Sequence, residues 1–279
     1  MSDNNSQANN FLFIAHPGHE LCVYAWLTLT KPKVFVLTDG SGRVARPRIA
    51  STTKVLSDAG ARIGSIYPRF TDRELYELIL RREFAPLFRV VDEFVEAIVA
   101  EKPDGIAGDA IEGFNPAHDA CRMIINAAVA IAGRFLGAGI VNQDFLLVGR
   151  HIPLESDGAT NLRLDDVTFK QKLAAARSFT ELAPELDAVL QGDLLALHQY
   201  PQIRNDPLAA RNTIGAEAYR VECLRPIGDD ASPTPFTSTP FYEQYGELRV
   251  AEGFYGEVIR YRDHMLPLAE ALSEHAATV

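Results

Sequence analysis

The sequence predicts an α/β fold, with a mainly parallel sheet and helices on both faces. Three observations carry this. Phe11 to Ala15 is an apolar run that follows a polar start and stops at His16-Pro17-Gly18-His19-Glu20, as a strand buried on both faces does. A second such run, Lys33 to Thr38, ends at Asp39-Gly40-Ser41-Gly42. Between and after them, helix-period segments alternate with short strand-like runs, the pattern of βαβ units.

Taken in order, the first strand is followed by an apolar helical segment, Leu21 to Leu29. The Asp39 to Gly42 loop lacks the spacing and the lysine of a phosphate loop, so it reads as a plain strand-to-helix connection. Arg43, Arg46 and Arg48 follow it, as a solvated loop or as partners for an anionic part of a ligand. Ile49 to Ala59 is helical and closes at Gly60, and Arg62 to Ile66 is a short strand. Thr71-Asp72-Arg73-Glu74 has the form of a capping box. From Glu83 to Ala100, apolar residues at three- and four-residue steps define one long amphipathic helix. Gly105 to Gly108 is a small-residue strand, and Pro116 sits where the helix Ala117 to Ala132 can begin. A strand follows within Ile140 to Val148. Asp165 caps a helix over 166–181, and Pro184 to Leu197 is helical, with His198 at its end. Gly228 to Pro240 reads as a linker, and the alternation in Glu257 to Arg262 as an edge strand or a contact between copies in a homo-oligomer.

The composition is that of a globular protein, 47% apolar and 23% charged over 279 residues, enough for one large core or two modest ones. Residues 1–10 are expected to be disordered. They do not have the form of a signal peptide, and no apolar run reaches membrane-spanning length, so a cytoplasmic protein is expected. A net charge of −10 argues against nucleic acid or an anionic membrane as partner and favours small molecules. Cys22, Cys121 and Cys223 are read as small core residues.

The chemistry concentrates at two strand ends. His16 and His19 lie three residues apart on one turn and can converge on a metal ion, each through one nitrogen. His118 lies in a helix's first turn after a later strand, where it can complete that site. Asp119, Glu112 and Asp109 are carboxylates in the same neighbourhood.

The segments FIAHPGHE, VFVLTDGSG and NPAHDA, in this order, resemble the LmbE/PIG-L family of metal-dependent N-deacetylases, and the likeness continues weakly through LDDVTFKQKLAAARSF and GAEAYRVE. The resemblance spans residues 11–226, with 227–240 as linker and 241–279 as an extension packing on the domain or on a partner subunit. It implies a Rossmann-like sheet, zinc or another divalent transition metal, and removal of an acyl group from an N-acyl amino sugar or similar small amide. His16 matches the family's first ligand, His118 the ligand ending its second motif, and His19 stands where the family has an Asp ligand. Glu20 matches the family's glutamate and, with Asp39, is expected around the metal rather than on it. Two positions depart from the family: Gly18 replaces the Asp that serves as general base, and Asn115 replaces the His that stabilises the oxyanion. Three neutral ligands leave an ion more acidifying toward water, which partly offsets the first loss. Asn115 can donate a hydrogen bond to an oxyanion, and Asp119, Glu112 or Asp109 can move the proton. The rival readings are a protein that binds a sugar-like ligand or a partner protein without hydrolysis, and an enzyme using the same metal for different chemistry.

Overall fold

The computed structural model describes residues 9–42, 46–147, 157–181, 217, 219–228, 236 and 238–279. The helix expected over 184–197, His198, Arg43 and most of the 228–240 linker lie outside them.

Among the described residues seven strands form one sheet: β1 (Asn10–Ile14), β2 (Lys33–Val36), β3 (Arg62–Ile63), β4 (Gly105–Asp109), β5 (Val141–Phe145), β6 (Thr160–Arg163) and β7 (Val221–Pro226). Their order is β3-β2-β1-β4-β5-β7-β6. The first five are parallel, and β7 runs antiparallel to both neighbours. This is the α/β architecture expected of a Rossmann-like sheet. The strand order reverses between β1 and β4, so their carboxyl ends bound the crevice where such sheets bind ligands.

The period-two pleat divides the core. Phe11, Phe13 and Phe35 face α3 (Asp72–Arg81), α4 (Ala85–Glu101) and α5 (Pro116–Leu136). Leu12, Ile14, Val34 and Val36 face α1 (Tyr24–Thr30) and α2 (Ile49–Ala59). Gly108 makes the close packing of β1, β4 and α5 possible, because a Cβ there would meet Ile125 and the Phe13 carbonyl at 2.5 Å. Arg122 is fully buried on α5 and donates to the Asp109 carbonyl at 2.5 Å, to Asn142 Oδ1 at 3.0 Å and to the Gln143 carbonyl at 3.0 Å. It thereby ties the end of β4 to the first half of β5.

Local signals account for several boundaries. Thr71 and Glu74 form a capping box at α3, Gly60 closes α2 in a left-handed conformation, and Asp165 caps α6 (Asp166–Ser178) by accepting from Thr168 N–H. The segment after β1 differs from expectation: residues His19–Val23 form a 3₁₀ turn, and α1 starts only at Tyr24. Glu222 of β7 sets that start by accepting from the amides of Ala25 and Trp26 at 3.0 and 3.1 Å, while Lys172 pairs with it at 2.8 Å.

The tail also departs from the sequence reading. Residues 257–262 form no strand. Instead α7 (Phe241–Ala251), a π-type turn at Tyr261–Met265 and α8 (Leu266–Thr278) follow one another. Val258 packs on Gly246, and the Tyr261 amide donates to Glu243 Oε1 at 2.6 Å rather than to a strand. Met265, Leu268 and Leu272 join the core that contains α4 and α5. The apolar alternation thus serves a helical connection docked by its side chains. Among the described residues no helix is long and apolar enough to cross a membrane, and Cys121 is a buried free thiol.

Candidate functional site

The turn after β1 carries two of the three histidines into the β1/β4 crevice. Gly18 occupies a left-handed conformation, φ 105°, and its N–H donates to Glu20 Oε2 at 2.8 Å and to Thr52 Oγ1 at 3.1 Å. The turn therefore reverses tightly and brings His19 back beside His16. His118 arrives from the other side. Asn115 caps α5 by accepting from Ala117 N–H at 2.8 Å, and His118 sits in the helix's first turn.

The three rings are mutual neighbours, with centroids 5.2 Å apart for His16 and His19, 5.1 Å for His16 and His118, and 4.5 Å for His19 and His118. His16 Nδ1 stands 2.7 Å from Thr38 Oγ1 and 3.1 Å from Asp72 Oδ1. His19 Nδ1 stands 2.9 Å from Asp109 Oδ2. A carboxylate only accepts, so in both rings Nδ1 carries the proton and Nε2 presents its lone pair. His118 Nδ1 is buried without a partner.

Burial sets the electrostatics. It lowers the His19 pKa against the opposing pull of Asp109. It drives His118 well below the ordinary imidazole value, and the neighbouring His19, His16 and Arg48 push the same way. Asp72 is also desolvated, yet hydrogen bonds from His16, Thr38 and the Gly42 amide hold its carboxyl well below the usual range. Glu20 and Asp119 are each pushed up to about 7 by burial.

Each residue singled out in the sequence has a definite place. Glu20 is fully buried and turns one oxygen to the Gly18 amide, leaving Oε1 without a partner. Asp39 accepts from the amides of Ser41 and Asp72 and braces the β2 loop. Glu112 accepts from the Leu147 amide at 2.7 Å. Asp119 Oδ1 accepts from the amides of Glu112 and Gly113, while Oδ2 is buried without a partner. The field of that carboxylate reaches the hydroxyls of Tyr242 and Tyr261 in the tail. Asp109, read from the sequence as a third candidate to carry the proton, accepts from His19 and the Ala15 amide through Oδ2. Arg46 is exposed, whereas the charge of Arg48 is felt at His19, Glu20 and His118.

Two contributors escape sequence reading. Asp72 reads as the first residue of a capped helix, and nothing local signals that its side chain supports His16. Tyr76 donates to Asn115 Oδ1 at 3.1 Å. With Ala117 N–H on the same oxygen, this leaves the Asn115 amide nitrogen as the free donor end.

A divalent ion suits this donor set in type and spacing. Zn–N bonds of about 2.0–2.1 Å at near-tetrahedral angles place imidazole centroids about 5 Å apart, and carboxylates on the far nitrogens are the usual support of ligating histidines. Among the described residues, however, no three His, Cys, Asp or Glu side chains form a ready-assembled metal-holding group. The two findings differ in what they require, since ring proximity does not demand that donor atoms already converge. Proximity carries more weight, because the buried His118 Nδ1 is costly without a partner. Two cavities of about 290 and 430 Å³ lie elsewhere, beside α2 and α6 and in the tail.

No family model and no curated protein matches the chain. Among solved structures it is similar to the A40926 pseudoaglycone deacetylase Dbv21, with 16% identity, 81% of this chain and 99% of that one covered, and a TM-score of 0.47. The zinc-inhibited form of teicoplanin deacetylase Orf2 gives 15%, 80% and 100%, and 0.42. The conserved protein TT1542 from Thermus thermophilus gives 16%, 84% and 98%, and 0.45. No site assignment rests on these likenesses.

Proposed function

We propose that this chain is a metal-dependent amide hydrolase of the N-deacetylase type, related to the LmbE/PIG-L proteins that its motifs resemble and acting on an N-acyl amino sugar or a similar small amide. The observation that carries the reading is the meeting of His16, His19 and His118 at the β1/β4 crevice, two of them with a carboxylate on Nδ1.

His16, His19 and His118 would hold zinc or another divalent transition metal, with Asp72 and Asp109 orienting the first two. When bound, such an ion polarises a carbonyl and acidifies water. The chain's own residues supply the rest. The amide nitrogen of Asn115, fixed by the two bonds to its oxygen, donates to the oxygen on which negative charge develops. Arg48 contributes positive charge to the same region. Asp119, which burial pushes up to about 7, is the carboxylate assigned to the proton, the role that Gly18 cannot fill, whereas Glu112 is engaged with Leu147.

One observation favours the rival, a protein that keeps the ligands and binds a sugar-like ligand without hydrolysis. The left-handed turn at Gly18 disfavours the side chain from which the family takes its base. The experiment is elemental analysis of the purified protein and of His118→Ala, followed by an amine-release assay on N-acetyl amino sugars. About one metal per chain that is lost in the variant, with amine release that scales with metal, supports the hydrolase. A metal-loaded protein that releases no amine supports the binding protein.

A further inference from the structure

The tail meets the loop that leads into α5 around one peptide, that of Gly113. Its N–H donates to Asp119 Oδ1 at 3.3 Å, and its carbonyl accepts from the Tyr242 amide at 3.3 Å. A Cβ at Gly113 would stand 2.9 Å from the Phe236 ring and 3.3 Å from Pro240, so the tail packs directly on this peptide. The Phe236 ring meets Tyr261 edge-on at 5.1 Å, and Glu243 Oε1 draws the Tyr261 amide to the start of α7. Asp119, Tyr242 and Tyr261 are thereby gathered in one place, 1%, 5% and 7% exposed. Among the described residues, Asp119 Oδ2 and the two phenol hydroxyls find no hydrogen-bond partner.

Three orphaned oxygens gathered around one peptide call for a common partner. Each is costly when buried alone, and phenylalanine at 242 or 261 would fill the same apolar surroundings without that cost. Burial raises the pKa of both phenols, and the Asp119 carboxylate raises both further, so its charge is felt at each hydroxyl. A carboxylate only accepts, whereas a phenol can donate. One water molecule matches this set: it accepts from the two phenols and donates to Asp119 Oδ2, making the three bonds usual for an internal water. We propose that Tyr242 and Tyr261 are positioning residues for Asp119, which they hold through one shared internal water. The amides of Glu112 and Gly113 fix Oδ1, and the tail fixes Oδ2. What Asp119 does once held rests on the proposed hydrolase reading; the bridge itself does not.

A crystal structure of the full chain that shows ordered water tests the bridge directly. One water within about 2.5–3.0 Å of all three oxygens is expected; no water there, or a phenol bonded directly to Asp119, overturns the proposal. Tyr242→Phe and Tyr261→Phe add a test of sign. Removing an orphaned hydroxyl stabilises a core or leaves it unchanged, whereas removing a bridging one should lower the folding equilibrium constant about three- to tenfold in urea unfolding. In an Asp119→Ala background the same substitutions should change it by less than about twofold. Phenylalanine variants as stable as the parent, or losses undiminished without Asp119, overturn the proposal. In the metal-loaded protein both variants should lower kcat for amine release about three- to tenfold, with KM and bound metal unchanged. An unchanged kcat makes the bridge purely structural and overturns the positioning role. A metal-loaded parent that releases no amine removes the hydrolase reading instead, and the bridge is then decided by the crystallographic water and the stability series.

Discussion

Replacing Asp109 by asparagine separates the shape of this site from its charge. Asp109 is fully buried, and a single oxygen, Oδ2, accepts from Ala15 N–H at 2.8 Å and from His19 Nδ1 at 2.9 Å, while Oδ1 has no partner. Asparagine is isosteric and retains one acceptor oxygen, so both bonds can survive. The bond to His19 ceases to be charge-assisted and drops to about half its strength, and the imidazole becomes a poorer donor to a metal. Partners of this kind are worth about 10–100-fold in metal affinity, which is about 1.4–2.8 kcal/mol. The new amide NH₂ takes the place of an already unpartnered oxygen, so the stability cost is about 1–3 kcal/mol. The assay is zinc competition against a chromophoric chelator, with thermal melts on the same samples. The expected result is a folded variant whose zinc affinity falls by the stated factor. Asp92→Asn serves as control, because Asp92 pairs with His275 at 2.7 Å away from the site, and it should leave zinc affinity unchanged. Wild-type zinc affinity in a folded Asp109→Asn protein would refute the reasoning that this carboxylate supports a ligating His19.

Four further outcomes are expected. His118→Ala should lower bound metal from about one per chain to background and abolish amine release, as measured by elemental analysis and an amine assay; retained turnover would remove the metal mechanism. Gly18→Asp, which introduces the residue found at this place in the family that the motifs resemble, should destabilise the protein by about 1–2 kcal/mol because its φ is 105°, read as a lower urea midpoint; an unchanged midpoint would show that the turn relaxes. Tyr76→Phe should reduce kcat about three- to tenfold with KM held, since it removes one of the two bonds that aim Asn115. A raised KM at constant kcat would instead make Tyr76 a substrate contact. Glu222→Ala should cost about 3–5 kcal/mol in denaturant unfolding, as it strands the buried Lys172 ammonium and frees the two amides at the start of α1. A loss below about 1 kcal/mol would mean that water reaches the pair.

What the sequence determined by itself is what depends on near neighbours. The apolar run at Phe11 announces a strand buried on both faces. Thr71 with Glu74, Asp165 with Thr168, and Asn115 before Pro116 start helices through contacts only two or three residues long. The histidines could be singled out because His16 and His19 share one turn and His118 opens a helix after a strand, and parallel sheets deliver such positions to one edge. Tertiary structure alone decided the partnerships. His16 with Asp72 and His19 with Asp109 join residues 56 and 90 positions apart, and only the β1-next-to-β4 order with α3 alongside brings them together. Tyr76 on Asn115 arises in the same way. The alternation at residues 257–262 misleads for the converse reason: a period of two reports which side chains seek the core, but whether the backbone pairs as a strand depends on a free sheet edge within reach. Here the Tyr261 amide finds Glu243 instead, and the tail folds as helices against α5.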